Sequence, residues 1–420
     1  MSVMKNLLTL LFAACSIFAN AQGTSFFKVI NNDSADFLVG ASQIQNGDYL
    51  LLSNTNAGSG GSDFQLTKTD GLGNTIWSFS YGTTASDVAT GFRTTSDGGA
   101  MVCGVTKIST HPSGFLMKIN STGVITWSRL MSSDSTVNAL DVAVATDGSS
   151  YVTGWIDDDT LGRNVMVARY SLSGVQNWIR SYGGDGQDEG NGITIDENGR
   201  IIVVGSTTTD SITTGTLGDK DMLLYSLTTL GGVYATKSFG TTNDDIALEV
   251  VNTRNNNIYV GGMVYGVSGL ETDLSVIQVD TNLNLTAANW YGDNGPDSLR
   301  GMSIIGSDLL LTYSASPVGL GSDLGYIQLS NGTQIANSSY FGGLGSDANA
   351  GVAVVGGTAD FSLIGSGTTL GGTNAEDLYI IKLDNVFESC NKFIGGVISS
   401  PLSLTSGGTC SNEILNGFGN

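Results

Sequence analysis

The chain has 420 residues, with 17 Lys and Arg against 38 Asp and Glu and a net charge of −21, so a phosphate backbone is repelled and nucleic acid is excluded as a partner. Only 13% of residues are charged, 40% are hydrophobic and 59 are Gly, which excludes a disordered acidic tail and describes a core-forming chain rich in tight turns. One His, His111, excludes multi-histidine metal sites.

In chain order, the first element is a leader. "MSVMKNLLTLLFAACSIFANAQ" carries Lys5, an apolar run from Leu7 to Phe18 and small residues at Ala19 and Ala21, the pattern of a secretory signal cleaved after Ala21. A rival reading takes "FAAC" as a lipoprotein box with Cys15 lipidated. No later apolar run is long enough to span a bilayer, so the mature chain is expected to be exported and to reside outside the cell, at its surface or in the periplasm.

Next comes "FFKVI" at 26–30, then a unit that recurs. Its skeleton is an aromatic residue and Gly, a few small residues, an Asp, an apolar patch, a turn and a β-branched strand. It appears as "YGTTASDVATGFRTTSDGGAMVCGVT" from Tyr81, "YGGDGQDEGNGITIDENGRIIVVGST" from Tyr182, "FGTTNDDIALEVVNTRNNNIYVGGMV" from Phe239, and again from Tyr291 and Phe341, with a degenerate copy from Met131. The key Asp falls at 36, 87, 188, 245, 297 and 347, with Asn138 in the remaining place, at intervals of 51, 51, 50, 57, 52 and 50. A second strand keeps step, as in "DFQLTKTDGLGNTIW" from Asp63, "NVMVARYSLSGVQNW" from Asn164 and "DLYIIKLD" from Asp377. Four short strands per copy of about 50 residues is the signature of an all-β propeller.

The stretch "WIRSYGGDGQDEGNGITIDENGRIIVVGST", from Trp178 to Thr207, resembles the bacterial seven-bladed β-propeller repeat (SBBP-type) family. The resemblance spans residues 26–384 and implies seven four-stranded blades. It implies no activity, because that family has no shared catalytic motif. Phase predicts the closure: "FFKVI" stands where a fourth strand belongs, while "DLYIIKLD" is a third strand lacking its fourth. The two are expected to pair and complete the last blade, removing an open edge.

The glycine-rich connectors precede strands, so they are not phosphate loops, which need a helix N-terminus. Two readings stand for Asp36, Asp87, Asp188, Asp245, Asp297 and Asp347: turn carboxylates that accept backbone N–H bonds, or a ring of hard oxygen ligands for calcium. Trp77, Trp127, Trp178 and Trp290 recur with the repeat and are expected to pack between blades. Trp155 is off-period, beside Asp157, Asp158, Asp159 and Arg163, where it can stack on a sugar or peptide or simply cap the blade. His111, in "KISTHPSG", is a second candidate on the same face. Cys103 lies in an apolar strand and reads as a small buried hydrophobe.

Residues 385–420 leave the repeat. Cys390 and Cys410 are expected to form a disulfide once exported. Relatives of this repeat often end in a sorting domain for export across the outer membrane, and the tail does not resemble one. The function expected is non-catalytic binding or assembly through the loop face, toward a protein or glycan at the cell surface, with no cofactor unless calcium. The alternative is a polysaccharide hydrolase or lyase using carboxylates at the channel mouth. A quinone-dependent dehydrogenase is a third reading and requires a bound chromophore.

Overall fold

The computed structural model describes residues 25–383 and 403–404, except 31–35, 57–60, 109–110, 132–134, 159–161, 210–219, 254–256, 267–270, 293–294, 316–322, 342–348, 355–360 and 368–376. The leader, the Cys390–Cys410 pair, Asp159 and Asp347 lie outside the described residues, as does the Asp158 side chain.

Burial patterns fix where each strand sits. The second and third strands of a copy, such as Tyr49–Thr55 and Asp63–Thr69, are buried on both faces, whereas the fourth, Thr75–Tyr81, leaves most of its residues exposed or half-buried. A strand covered on both faces belongs inside a stack of sheets and an uncovered one at its rim. The strands accordingly form seven antiparallel sheets, six of four strands and one of five, each a blade running from axis to rim. The innermost strands are β2 (Asp36–Gln43), β6 (Asp87–Thr94), β10 (Val137–Val144), β14 (Asp188–Ile195), β18 (Asp245–Asn252), β22 (Ser298–Ile305) and β26 (Asn349–Val354). Each packs against the next, and β26 against β2 closes the ring.

The closure is the one expected. The seventh blade has the order β26, β27 (Phe361–Gly367), β28 (Asp377–Leu383), β1 (Ser25–Ile30), β29 (Ser403–Leu404). β1 runs antiparallel to β28 from Phe26 opposite Lys382 to Ile30 opposite Leu378. β29 adds a short fifth strand opposite Ser25 and Phe26. The seam is as dry as the interfaces between other blades: Ile30, Leu38, Tyr49, Leu51, Ile364, Leu378 and Ile380 form one buried cluster across it.

Blades are latched by the aromatic residues of the repeat. The Tyr81 and Tyr182 hydroxyls donate to the carbonyls of Gly123 and Gly231 in the next blade, both at 2.7 Å, and the Trp127 indole donates to the Leu172 carbonyl at 3.2 Å. Gly123 turns with φ of +82°, and a Cβ there would strike Phe79, the neighbour of Trp77. Trp290 differs from its counterparts, being 50% exposed at the rim. Cys103 is fully buried, and burial pushes its thiol up to about 12, well outside the reactive range.

One sequence assignment shifts by a residue. The N–H of Val137 bonds to the Pro112 carbonyl, as those of Asp87 and Asp245 bond to the preceding blade's Ser62 and Lys220, so Val137 and not Asn138 occupies the key Asp position of the third blade. Asn138 pairs with Trp155 one place further in, where Val88 stands in the second blade.

Candidate functional site

The connector carboxylates are built into turns. Asp87 accepts the Thr83 N–H at 2.6 Å and the Thr83 hydroxyl at 2.8 Å; Asp245 accepts the same pair from Thr241; Asp188 accepts the Gly184 N–H and the Thr209 hydroxyl, both at 2.9 Å. Asp87 and Asp245 each face a second acid, Asp63 and Asp221, from the third strand of the preceding blade. The Gly of the aromatic–Gly pair sits between them: a Cβ on Gly240 would lie 1.9 Å from Asp221 Oδ1 and 3.2 Å from Asp245 Oδ2. Gly82 and Gly292 lie equally close to Asp63 and Asp273. Burial, then the neighbouring Asp245, push Asp221 up to about 6, and burial and Asp87 raise Asp63 in the same direction. Where the pattern departs, a carboxylate is lost: Asn164 faces Asp188 across Gly183, and Ser113 holds the register place of Asp63 ahead of Val137, in the connector whose sequence has Ser132 in place of Gly. Among the described residues no three His, Cys, Asp or Glu side chains gather to hold a metal ion.

On the same face the structure brings Trp155, Asp157 and Arg163 together and adds Glu189 from the next blade. The Arg163 guanidinium lies 3.8 Å from the centre of the Trp155 ring, pairs with Asp157 at 3.4 Å and also pairs with Glu189. The indole face that would stack on a sugar is therefore covered by the chain's own cation. His111 is exposed on the corresponding loop of the second blade.

The central channel is the less expected feature. It holds a cavity of about 670 Å³ lined by β2, β6, β10, β14, β18 and β22. Each of these strands carries a β-bulge, whose extra residue is Val39, Thr90, Leu140, Asn191, Leu248 or Arg300. A bulge re-aims the side chains beside it. The residue after the bulge is Gly40, Gly91, Gly192 and Gly301 in four blades, and a Cβ at Gly192 would come within 2.7 Å of the Leu248 carbonyl. In the other two blades it is Asp141 and Glu249.

These acids are differently placed. Asp141 pairs with Arg93 at 3.0 Å and accepts the Val142 and Ile193 N–H groups at 2.8 and 3.1 Å. Glu249 accepts no hydrogen bond among the described residues. Burial, with Asp141 adding to it and Arg93 opposing, pushes Glu249 up to about 7. Burial raises the Asp141 carboxyl as well, but there Arg93 and the two N–H groups oppose it, whereas Glu249 has only Arg93 against burial and Asp141. Arg300, at the bulge of β22, lines the cavity with its side chain exposed to it. Sequence reading missed Arg93, Asp141, Glu249 and Arg300. The signal that finds them is a column through the copies, in which two acids replace Gly.

Fold and site together define a seven-bladed β-propeller with a charged central channel. No family model matches the chain. The Regulatory protein FlaEY of Caulobacter vibrioides is 27% identical over 198 residues, which cover 42% of this chain and 20% of that protein, so the match spans a fifth of that relative's length. The polysaccharide lyase Uly1 superposes with a TM-score of 0.51 at 10% identity over 87% of this chain and 93% of its own. A puromycin hydrolase mutant complexed with PGG gives 0.52 at 12% identity over 88% and 53%. Identities this low show a common fold alone.

Proposed function

We propose that this is an exported, non-catalytic binding propeller of the SBBP-repeat type that receives its ligand in the central channel, presented by a protein or glycan at the cell surface. One observation carries the reading: four charged side chains that the repeat does not call for converge on one cavity, whereas the recurring carboxylates are engaged in turns. The loop-face cluster ranks second, because Arg163 already fills it. No helix among the described residues is long and apolar enough to cross a membrane.

The test restores the repeat's own residue. Asp141→Gly with Glu249→Gly should leave the ring folded and abolish capture of the ligand from an array of neutral and acidic oligosaccharides, while Trp155→Ala leaves capture intact. Capture that survives the double change and is lost with Trp155→Ala moves the site to the loop face.

A second reading rests on Asp141 and Glu249 lining one cavity in unlike surroundings, the first bonded to Arg93 and two N–H groups and the second without a hydrogen bond among the described residues. Unlike surroundings are how hydrolases separate their acid and base. Under that reading Glu249→Gln stops turnover of polysaccharide. Absence of product from the unaltered protein on neutral and acidic polysaccharides removes it.

A further inference from the structure

Arg300 is the anomaly of the channel. The chain has 38 acidic residues against 17 basic ones, yet this guanidinium, turned into the cavity, bonds to no acceptor among the described residues. The corresponding bulge residues of the other blades are Val39, Thr90, Leu140, Asn191 and Leu248, none of them charged. Exposed on the channel wall, the Arg300 guanidinium has its fork of donors available to an anion that enters. The rest of the wall is suited to hydroxyl groups: Thr194, Asn252 and Ser303 line the same cavity. The Thr194 hydroxyl donates to Asn252 Oδ1 at 3.1 Å, which leaves the Asn252 amide N–H groups to donate inward.

The charges decide which anion fits. One planar guanidinium matches one carboxylate through two parallel bonds. A phosphate dianion would set its second charge against Asp141 and Glu249, which face the same space. A monocarboxylate needs only that Glu249 hold its proton, and Glu249 can then donate that proton in a hydrogen bond. The cavity is in the range that encloses a small ligand of one or two sugar units.

We infer that the channel binds a hydroxylated monocarboxylate, an acidic sugar unit of the uronic acid kind, with its carboxylate on Arg300 and its hydroxyls on Thr194, Asn252 and Ser303. The inference rests on the reading of the channel as the ligand seat. It makes affinity pH-dependent. Arg93 and Asp141 face Glu249 from β6 and β10, and Arg300 lines the cavity from β22. As pH rises through about 7, Glu249 ionises and repels the ligand. If only the protonated form binds, apparent affinity falls about tenfold between pH 6 and 8.

Calorimetry on the full chain with glucuronate, glucose and glucose 6-phosphate at pH 6 and pH 8 tests this. Glucuronate should bind at least tenfold more tightly than the other two. Arg300→Gln should lower its affinity at least tenfold with the melting temperature unchanged, and Glu249→Gln should keep at pH 8 the affinity seen at pH 6. Should Arg300→Gln fail to fold, Arg300→Lys, which keeps the charge and loses the fork, is expected to bind more weakly than the parent. Undiminished binding to Arg300→Gln, or tighter binding of glucose 6-phosphate, overturns the inference. If glucose binds as well as glucuronate and Asn252→Ala abolishes both, the channel remains the ligand seat and the acidic class is wrong. If the parent binds none of the three, the inference falls, while the array result judges the channel reading separately.

Discussion

The protein contains two kinds of carboxylate, and the contrast between them is instructive. Those of the connectors recur blade after blade, lie at strand starts and accept bonds from Thr and backbone groups of their own turn. Those of the channel, Asp141 and Glu249, occur once each, at places where four other blades carry Gly. In a repeat protein each copy must build the same interface with its neighbours, so what recurs serves the ring. What departs from the repeat while remaining partly buried has to be explained by something other than the ring.

The largest test breaks the connector side. Gly240→Ala drives a Cβ into Asp221 Oδ1, and the melting temperature should fall by the equivalent of about 3 kcal/mol. Gly240→Ser combined with Asp221→Ser copies the Ser113–Ser132 connector and should recover much of that loss. A single change as damaging as the double one would show that the close approach is not what requires Gly.

A smaller effect is expected with pH. Asp221 has a folded pKa of about 6, above its unfolded value, so the fold binds the proton more tightly than the unfolded chain does. The stability it contributes is complete below about pH 4 and is lost as pH rises through about 6. Asp221→Asn mimics the protonated form and the natural Asn164–Asp188 pair. It should stabilise the protein at pH 8 by about 1–2 kcal/mol, less than the full shift implies because the connectors border solvent. Urea melts of both proteins at pH 4 and pH 8 check this, and a variant less stable at pH 8 contradicts it.

The smallest effect sharpens the contrast. With Thr hydroxyls and N–H groups on Asp87, Asp188 and Asp245, adding calcium or a chelator should leave the melting temperature where it was. A rise with calcium would place metal at the connectors and give the recurring acids a second task.

Much of the ring was legible because a phase error is visible in a repeat. "FFKVI" precedes the first key Asp by too little to be anything but a fourth strand, and "DLYIIKLD" lacks one, so closure followed from order alone. The third blade misled because Asn138 offers a polar residue next to the true position, and only the hydrogen bond from Val137 settles the register. The channel was hidden by the bulges. Strict alternation along β10 puts Val137, Ala139 and Asp141 on one face, but Leu140 is an extra residue. Val142 therefore joins Val137 and Ala139 in the apolar cluster, and Asp141 is released toward the axis. A shift of one residue is enough to move a charge from core to cavity.

The clasp formed by β1 has a consequence for how the molecule comes into being. Its partner β28 belongs to the last repeat, so every earlier blade can assemble while the circle stays open. Contacts between such distant parts of a chain form late and slowly. Completion of the ring thus acts as a proofreading step: a chain cut short before Asp377 is left as an arc with two adhesive ends, open to proteolysis and to aggregation, and only a full-length copy conceals them.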